Sequence, residues 1–277
     1  MPELPEVEVT ARALARRFDG RRVQAVRIYN RQLRWGITRS LASAVTGQRI
    51  EHVSRRGKYL LWRLQSGVII SHLGMSGSWR LHEAGRAPAR GPHDHVELQC
   101  DDGAIARLND PRRFGALLWH ANAGGDVLRH RLLVGLGMEP FDPRFDGAWL
   151  FRATRGRRCA IKHVLLDGKT VVGVGNIYAT ECLFAARIHP QAQAGRIARR
   201  RYVRLALAIQ AVLARAIELG GSTLRDFTGT DGIDGRYTDF AQAYGRAGLP
   251  CPRCATPIRR LLQGQRASYF CPRCQRF

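Results

Sequence analysis

Long apolar segments are missing from this sequence. No run of about 18 apolar residues occurs in the 277-residue chain, and its first residues do not form a basic stretch followed by an apolar one. A chain of this kind lacks the segments needed to span a membrane or to be directed to secretion. We therefore expect a cytosolic protein in a reducing compartment.

Acidic residues are scarce relative to basic ones. The chain has 22 Asp and Glu against 45 Lys and Arg, a formal net charge of +23 and a pI near 11.2. So much positive charge repels itself unless phosphates or other anions neutralise it, so we expect a polyanionic partner. DNA, RNA, the ribosome or an anionic membrane surface would satisfy this charge equally well.

Cysteine is also uncommon, with seven residues, but four of them follow a recognisable spacing. The pattern C-x2-C-x16-C-x2-C is typical of one tetrahedral zinc ion held by two short knuckles. Four thiolates leave no open position for a substrate, so we expect the zinc to be structural; two disulfides are disfavoured in a chain without a secretion signal. The predicted ligands are Cys251, Cys254, Cys271 and Cys274. The three remaining cysteines are expected to be buried free thiols, namely Cys100, Cys159 and Cys182.

The first half of the chain predicts a helix followed by antiparallel strands. Apolar residues recur at helical spacing from Pro5 to Phe18, where Asp19 and Gly20 provide a stop. Short segments rich in Val, Ile, Leu, Tyr and Trp then alternate with turn signals up to about residue 130. We expect a β-sandwich or barrel domain over residues 1–130, led by one helix.

The second half of the chain has a different sequence pattern, in which helical periodicity replaces the short strand-like segments. A Gly-rich junction at residues 131–140 is the predicted hinge, and residues 141–240 read as a helical domain with a long helix over 202–219. Residues 221–240 are rich in Gly and Asp without a sustained period, which favours a long loop. The zinc finger is expected over 241–277, which completes an α+β organisation.

The opening MPELPEVE can be explained in two ways. Acidic residues and a proline suit the first turn of a helix, whose positive end favours carboxylates. Alternatively, removal of Met1 would expose Pro2 as a secondary amine beside Glu3 and Glu6. An α-amino group titrates near pH 8, well below lysine, and could attack a sugar carbon to form an iminium.

Seven short motifs in order resemble bacterial formamidopyrimidine-DNA glycosylases. They are PELPEVE at 2–8, RRGKYL at 55–60, HLGMSG at 72–77, HDHV at 93–96, DPRRFG at 110–115, VVGVGNIYA at 171–179 and GQRASYFCPRC at 264–274. The resemblance covers the whole chain, and the opening PELP favours the branch of this superfamily that excises purines over the endonuclease VIII branch.

The resemblance implies a fold, an activity and a partner. The fold would be a helix-led antiparallel β-sandwich, then a helical domain with a helix–two-turn–helix element and a four-cysteine zinc finger. The activity would be excision of 8-oxoguanine and formamidopyrimidines from damaged double-stranded DNA, followed by β- and δ-elimination. The protein would act as a monomer in the bacterial cytoplasm, at the nucleoid and away from membranes.

The catalytic residues implied by the resemblance are Pro2, Glu3, Lys58 and Arg266, with Glu6 in support. Pro2 would form the Schiff base, Glu3 would donate the proton for base release, and Lys58 would assist strand elimination. Arg266 would also contact a phosphate.

The DNA contacts implied by the resemblance fall into three sets. Met75, Arg112 and Phe114 would fill the space left by the flipped nucleotide, with Arg112 facing the orphaned cytosine. His72 and Asn176 would contact phosphates around the flipped site. His93 and Arg157 lie at positions where the family also touches DNA.

Each assignment has a local alternative. Without the motifs, Lys58 is an ordinary strand lysine, Met75 and Phe114 are core residues, and Asn176 is a turn asparagine or helix cap. The loop expected over the flipped purine, in residues 220–240, follows the family pattern only loosely. An oxidised-pyrimidine glycosylase and a non-catalytic lesion-binding protein therefore stay open as alternatives.

Overall fold

The computed structural model describes residues 2–222 and 235–277, which form two compact units. The first unit contains the residues up to Val134 together with the described residues 220–222 and 235. The second contains Gly135–Leu219 and the residues from Arg236 onwards. The boundary at Val134 and Gly135 therefore falls within the segment 131–140 that the sequence suggests as a hinge.

Helix α1 spans Leu4–Phe18, within one residue of the predicted start at Pro5. Its apolar stripe buries Val7, Leu14 and Phe18 completely. These residues recur at helical spacing, so one face of the helix supplies the first unit with part of its core. The helix prediction is confirmed.

Within the described residues, the first unit contains two four-stranded antiparallel sheets. One sheet has the order β1-β6-β7-β5 and the other β2-β3-β4-β8. The strands are β1 Val23–Ile28, β2 Ile50–Arg56, β3 Tyr59–Leu64, β4 Gly67–His72, β5 Ser78–His82, β6 Asp94–Cys100, β7 Ile105–Asn109 and β8 Ala116–Ala121.

The core of the first unit joins both sheets to α1. Trp62 on β3 packs against Trp79 on β5 of the other sheet, with 5.2 Å between the two ring centroids. Phe18 on α1 lies 5.9 Å from Trp62 in the same way. All three side chains are almost fully buried, so the expected helix-led sandwich is confirmed.

The second unit is mainly helical and closes with a β-hairpin. Its helices are α3 Gly147–Ala153, α4 Ile161–Leu166, α5 Asn176–Ala185 and α6 Arg199–Glu218, and its hairpin strands are β9 Arg259–Gln263 and β10 Arg266–Phe270. Phe184 of α5 packs in one cluster with Ile258 and the finger cysteines. The helices and the zinc finger thus share a core, because neither part buries enough apolar surface alone.

Some elements differ from the sequence predictions. Helix α2, Leu41–Val45, and strand β5 were not predicted, because five residues give too little periodicity. Part of the predicted loop at 221–240 forms a short 3₁₀ helix, Tyr237–Phe240, while residues 223–234 lie outside the described residues. Across the described chain, no helix combines the length and the apolar character that a membrane crossing requires.

Candidate active site and nucleic-acid interface

Pro2 and Glu3 lie buried at the start of α1. Glu3 is the N-cap residue with 3% of its surface exposed, and it forms a reciprocal capping box with Glu6. The Glu3 N–H donates to Glu6 Oε2 at 2.7 Å, while the Glu3 carboxylate accepts the Glu6 N–H. The local helix-start explanation of the acidic opening is therefore correct, and it fixes both carboxylates beside Pro2.

Glu6 also binds Ser222, a long-range contact that no local sequence pattern indicates. Its Oε1 accepts hydrogen bonds from the Ser222 N–H at 2.6 Å and the Ser222 hydroxyl at 2.9 Å. Gly221 lies so close that an added Cβ would press on the Glu6 side chain. The buried carboxylate thus holds residues 221–222 against the start of α1, which explains why they belong to the first unit and not to the helical domain.

Lys58 occupies the tight turn between β2 and β3. Gly57 has φ of +58°, as the first turn residue of a type II′ hairpin requires, and Arg56 pairs with Tyr59 across the turn. At the end of β2, Arg55 Nε donates to Glu8 Oε2 of α1 at 2.8 Å. This ion pair places the Lys58 turn beside the first turns of α1. Burial raises the pKa of Glu8, but hydrogen bonds and the charges of Arg55 and Arg12 lower it overall.

His72 ends β4, and its ring centroid lies 4.7 Å from that of Tyr59, with the two ring planes tilted by 50°. Its Nδ1 accepts the Gly74 N–H at 3.0 Å, so that nitrogen carries no proton. Burial, with the nearby charges of Lys58 and Arg34, lowers the pKa of His72 to about 4. The imidazole is therefore neutral at pH 7, and any contact with a phosphate would use its Nε2–H without added charge.

Met75, Arg112 and Phe114 project from two neighbouring loops. Met75 is 36% exposed and Phe114 45% exposed, which is unusual for large apolar side chains. The Arg112 guanidinium lies 5.0 Å from the centroid of the Phe114 ring, within cation–π distance. The alternative interpretation of Met75 and Phe114 as core residues is therefore excluded.

Asp110 and Ser76 join the two loops. Asp110 Oδ1 accepts from the Ser76 hydroxyl at 3.0 Å, and Oδ2 accepts from the Gly115 N–H at 2.8 Å. A Cβ at Gly74 would overlap the Phe114 backbone, so only glycine permits this approach. Asp110 lies inside the motif DPRRFG and Ser76 inside HLGMSG, but neither residue was predicted to have a role.

His93 borders the same loops. Its side chain is exposed, and its carbonyl accepts the Asp110 N–H at 3.0 Å. Nine candidate residues thus belong to the first unit: Pro2, Glu3, Glu6, Lys58, His72, Met75, His93, Arg112 and Phe114. Arg157, Asn176, Arg266 and the four predicted zinc ligands belong to the second.

Asn176 is the first residue of α5, and Gly175 is the N-cap. The interpretation of Asn176 as a helix cap is therefore wrong by one position. Its buried Oδ1 has no hydrogen-bond partner among the described residues. A rotation of the side-chain amide by 180° exchanges its oxygen and its nitrogen. In the rotated orientation the amide nitrogen takes this position and offers an N–H at a helix start, where anions bind.

Arg266 is exposed at the start of β10, directly after the hairpin turn. Gly264 and Gln265 have φ of +56° and +61°, as a type I′ turn requires. Lys162 of α4 is almost fully buried and donates to the Ala267 carbonyl at 3.0 Å and to the Ser268 hydroxyl at 2.7 Å. It anchors the strand that carries Arg266, a role that the sequence analysis missed.

Arg157 is partly neutralised within its own unit. Its Nη1 lies 3.3 Å from Asp167 Oδ2, and both side chains are about one-third exposed. An anion that binds Arg157 would therefore compete with this carboxylate. The ion pair is of the exposed kind that adds little stability, so the competition costs little.

The four predicted zinc ligands converge. Ligand atoms of Cys251, Cys254, Cys271 and Cys274 all lie within 4.8 Å of one another. Zinc–sulfur bonds of about 2.3 Å in a tetrahedron place sulfurs about 3.8 Å apart, so this cluster needs only small adjustments to close on an ion. The N–H groups of Arg253 and Cys274 donate to cysteine sulfurs at 3.4 Å, as expected of knuckles that stabilise thiolates.

The other cysteines only partly match the expectation of buried thiols. Cys100 and Cys182 are buried, but Cys159 is exposed, so the prediction for Cys159 is wrong. Cys159 precedes α4 in a connecting segment, where no sheet or helix covers it. Burial, with Asp102 and Asp101 nearby, raises the pKa of the Cys100 thiol to about 12, so it is unreactive.

Three family models match successive parts of the chain. They are the formamidopyrimidine-DNA glycosylase N-terminal domain at residues 1–117, the formamidopyrimidine-DNA glycosylase H2TH domain at 136–228, and the zinc finger found in FPG and IleRS at 248–276. The chain is 52% identical over 276 residues to the formamidopyrimidine-DNA glycosylase of Burkholderia multivorans, with full coverage of both chains.

Solved structures of similar proteins contain damaged DNA. A mutant Lactococcus lactis protein of this type, in complex with DNA that contains Fapy-dG, superposes with a TM-score of 0.89 at 34% identity, covering 100% of both chains. The wild-type Lactococcus lactis protein, in complex with DNA that contains an oxidised pyrimidine, has a TM-score of 0.88 at 34% identity, again with full coverage.

Proposed function

Because the chain belongs to the formamidopyrimidine-DNA glycosylase family, whose members are DNA glycosylases and abasic-site lyases of base excision repair, we propose that it excises oxidised purines through a Schiff base on Pro2. The substrate is damaged double-stranded DNA that contains 8-oxoguanine or a formamidopyrimidine. The protein acts as a monomer in the cytoplasm, at the nucleoid.

One observation carries this proposal. Pro2 and Glu3 are buried together at the start of α1, and the Arg55–Glu8 ion pair holds the Lys58 turn beside the same helix. A nucleophile, a proton donor and a second amine are the groups that base removal and strand elimination require.

The chemistry proceeds in three steps. With Met1 removed, the Pro2 nitrogen attacks the sugar C1′, the glycosidic bond breaks, and Glu3 supplies a proton as the base leaves. The C1′–O4′ bond then breaks, the ring oxygen takes the proton of the attached Pro2 nitrogen, and a cationic iminium forms between Pro2 and C1′. The resulting iminium withdraws electrons, so that a proton is lost from C2′ and the 3′ phosphate leaves by β-elimination. A further elimination releases the 5′ phosphate, and Lys58 assists these strand-breaking steps.

The other candidate residues extract and hold the damaged nucleotide. A base within a duplex is out of reach, so the enzyme must flip it out at a cost of a few kcal/mol. Met75, Arg112 and Phe114 occupy the space left in the stack, which needs exposed side chains on loops. His72, Asn176 and Arg266 contact phosphates around the flipped nucleotide, and His93 and Arg157 contact DNA nearby. Arg266 also belongs to the proposed catalytic residues.

One zinc ion has a structural role in this proposal. Four thiolates fill a tetrahedral ion, so it has no position for a substrate oxygen. The cysteines Cys251, Cys254, Cys271 and Cys274 would hold it and thereby fix the base of the β9–β10 hairpin that carries Arg266.

Borohydride trapping tests the proposal. The reagent reduces the iminium to a stable amine, so the protein becomes covalently attached to DNA that contains 8-oxoguanine opposite cytosine. Mass spectrometry should locate the attachment at Pro2. The chain has only three lysines, Lys58, Lys162 and Lys169, so a rival attachment site is easily recognised. Attachment at one of them would overturn the mechanism.

Two further experiments test the substrate class and the mechanism separately. A duplex that contains an oxidised pyrimidine should be trapped more slowly than the 8-oxoguanine duplex; the reverse order would favour the alternative substrate class. Glu3→Gln should abolish base removal but still cleave a preformed abasic site to some degree. Binding without trapping on every damaged duplex would indicate a non-catalytic lesion-binding protein.

A further inference from the structure

An open cavity of about 800 Å³ in the second unit is lined almost entirely by arginines. Seven arginines and the zinc-ligand candidates Cys254 and Cys274 form its wall, and no acidic residue contributes. Five of the guanidiniums have no ion-pair partner among the residues that the structure describes; they belong to Arg187, Arg200, Arg204, Arg273 and Arg276. The proposed DNA contacts use none of these residues.

The other two arginines hold the cavity wall together. Arg201 donates to the backbone oxygens of Phe277, Arg187 and Arg276. Arg253 donates to the Phe184 carbonyl at 3.1 Å and lies over the Phe184 ring. These bonds join α5, α6 and the knuckles, so the cavity is a defined part of the fold. Burial, and to a smaller extent the charges of Arg204 and Arg200, lowers the pKa of Arg201.

A zinc ion does not account for this charge. Zn²⁺ with four thiolates carries two negative charges, against seven arginines in the wall. Within the described residues, no guanidinium donates to a sulfur of the four clustered cysteines; their N–H···S bonds come from the backbone. Arg187 also adopts φ of +58°, a backbone position that favours glycine.

A second cavity with a mixed lining adjoins the arginine cavity and shares Arg200 and Arg201 with it; Gln191, Gln193 and Arg196 also line it. Its volume is about 580 Å³, and Ile197, Ala198 and Phe277 contribute to its lining. Phe277 is 75% exposed. Arginine-rich and apolar surfaces that meet in this way suit a ligand with negative charges next to an apolar group.

The arginine cavity lies away from Asn176 and Arg266, a comparison that rests on the proposed function. Arg157 lies closer to the second cavity, because its carbonyl accepts the N–H of Gly195, the neighbour of the lining residue Arg196. Arg187 follows the carboxyl end of α5, whereas Asn176 starts that helix, about 14 Å away along ten residues. Cys274 follows the carboxyl end of β10, whereas Arg266 starts the strand, about 14 Å or more away.

We propose that the adjoining cavities bind an acidic peptide segment of a partner protein. Its carboxylates pair with the guanidiniums of the first cavity, and one apolar side chain enters the second. Planar guanidiniums bind carboxylates in a bidentate manner. A duplex backbone supplies negative charge but no apolar side chain, so a peptide accounts for both cavities.

Fluorescence anisotropy with the full-length, zinc-loaded protein tests this proposal. The probe is a labelled peptide of aspartates and glutamates around a single phenylalanine. The double variant Arg200→Glu/Arg204→Glu should bind it at least about tenfold more weakly. The matched control is the double variant Arg199→Glu/Arg215→Glu, which makes the same change of charge on the same helix but outside both cavities, and it should change affinity by less than about threefold. Replacing the peptide phenylalanine by alanine should also weaken binding about tenfold.

Two controls keep the outcome separate from catalysis. Lesion cleavage should be the same for the wild type and the Arg200→Glu/Arg204→Glu double variant, whether or not the proposed mechanism is correct. Equal peptide affinity in the double variant and the control would overturn the proposal. It would also be overturned if a single-stranded oligonucleotide bound the cavity, with loss in the double variant, while the peptide did not bind.

Discussion

The ionisation of His72 links the folding of the first unit to pH. Its folded pKa is lowered from 6.5 to about 4, since burial and the charges of Lys58 and Arg34 disfavour the imidazolium. As the pH falls below 6.5, the unfolded chain takes up a proton that the folded protein resists. The stability that this residue contributes is therefore present above pH 6.5 and is lost progressively towards pH 4.

The free energy of unfolding should fall by about 2 kcal/mol between pH 7.5 and pH 5 on account of His72 alone. His72→Asn keeps an acceptor for the Gly74 N–H but cannot ionise, so it should remove that part of the pH dependence. Urea unfolding of both proteins at the two pH values measures the difference. An unchanged dependence in the variant would show that another group is responsible.

Phe114 is exposed, so its loss should affect catalysis more than folding. Phe114→Ala should reduce stability by less than about 1 kcal/mol, the scale of its contact with Arg112. Excision from duplex DNA should slow about tenfold, equivalent to about 1.4 kcal/mol of barrier, because the emptied stack is no longer filled. Thermal unfolding and single-turnover excision measure the two effects.

The buried Phe18 provides the matched control for Phe114. Phe18→Ala should cost about 3–5 kcal/mol of stability, because it leaves a cavity against Trp62. A comparable loss in Phe114→Ala, without slower excision, would contradict its placement as a residue that enters the base stack.

The β9–β10 hairpin is the element whose order depends on the cysteine cluster. Cys271→Ser should reduce bound zinc from one equivalent to almost none, loosen the hairpin that carries Arg266, and weaken duplex binding. The first unit should stay folded, because its core contains no finger residue. Metal analysis and binding titrations measure these effects. Cys159→Ser, at an exposed cysteine outside the cluster, should retain zinc and affinity; the prediction fails if Cys271→Ser does so too.

Elements with a local signal could be predicted from the sequence, and contacts between distant segments could not. Helix α1 follows from its apolar spacing, and the cysteine cluster follows from the C-x2-C-x16-C-x2-C spacing. The bond from Ser222 to Glu6 joins residues 216 positions apart, and Lys162 reaches Ser268 across 106 positions. Nothing near either residue in sequence indicates its partner.

The whole molecule carries a net charge of +23, so its affinity for any duplex should fall steeply with salt. This charge is spread over many arginines, of which only those at phosphates release counterions on binding. Replacement of any one arginine by glutamine lowers the net charge by one. The change that such a variant causes in the salt dependence of affinity therefore shows whether the replaced arginine contacts a phosphate, because the change in total charge is the same for every variant.

Arg266 and Arg112 should respond differently to the same loss of charge. Arg266→Gln should lower the slope of log affinity against log salt by about 0.9, as expected when one phosphate contact is lost. Arg112→Gln should leave the slope nearly unchanged but reduce the preference for cytosine opposite the lesion, because Arg112 is proposed to face a base. Arg144→Gln is the control, since Arg144 is 79% exposed and paired with Asp142. Titrations at several salt concentrations, with cytosine or adenine opposite the lesion, measure both effects. Equal slopes for Arg266→Gln and Arg144→Gln would remove Arg266 from the phosphate contacts.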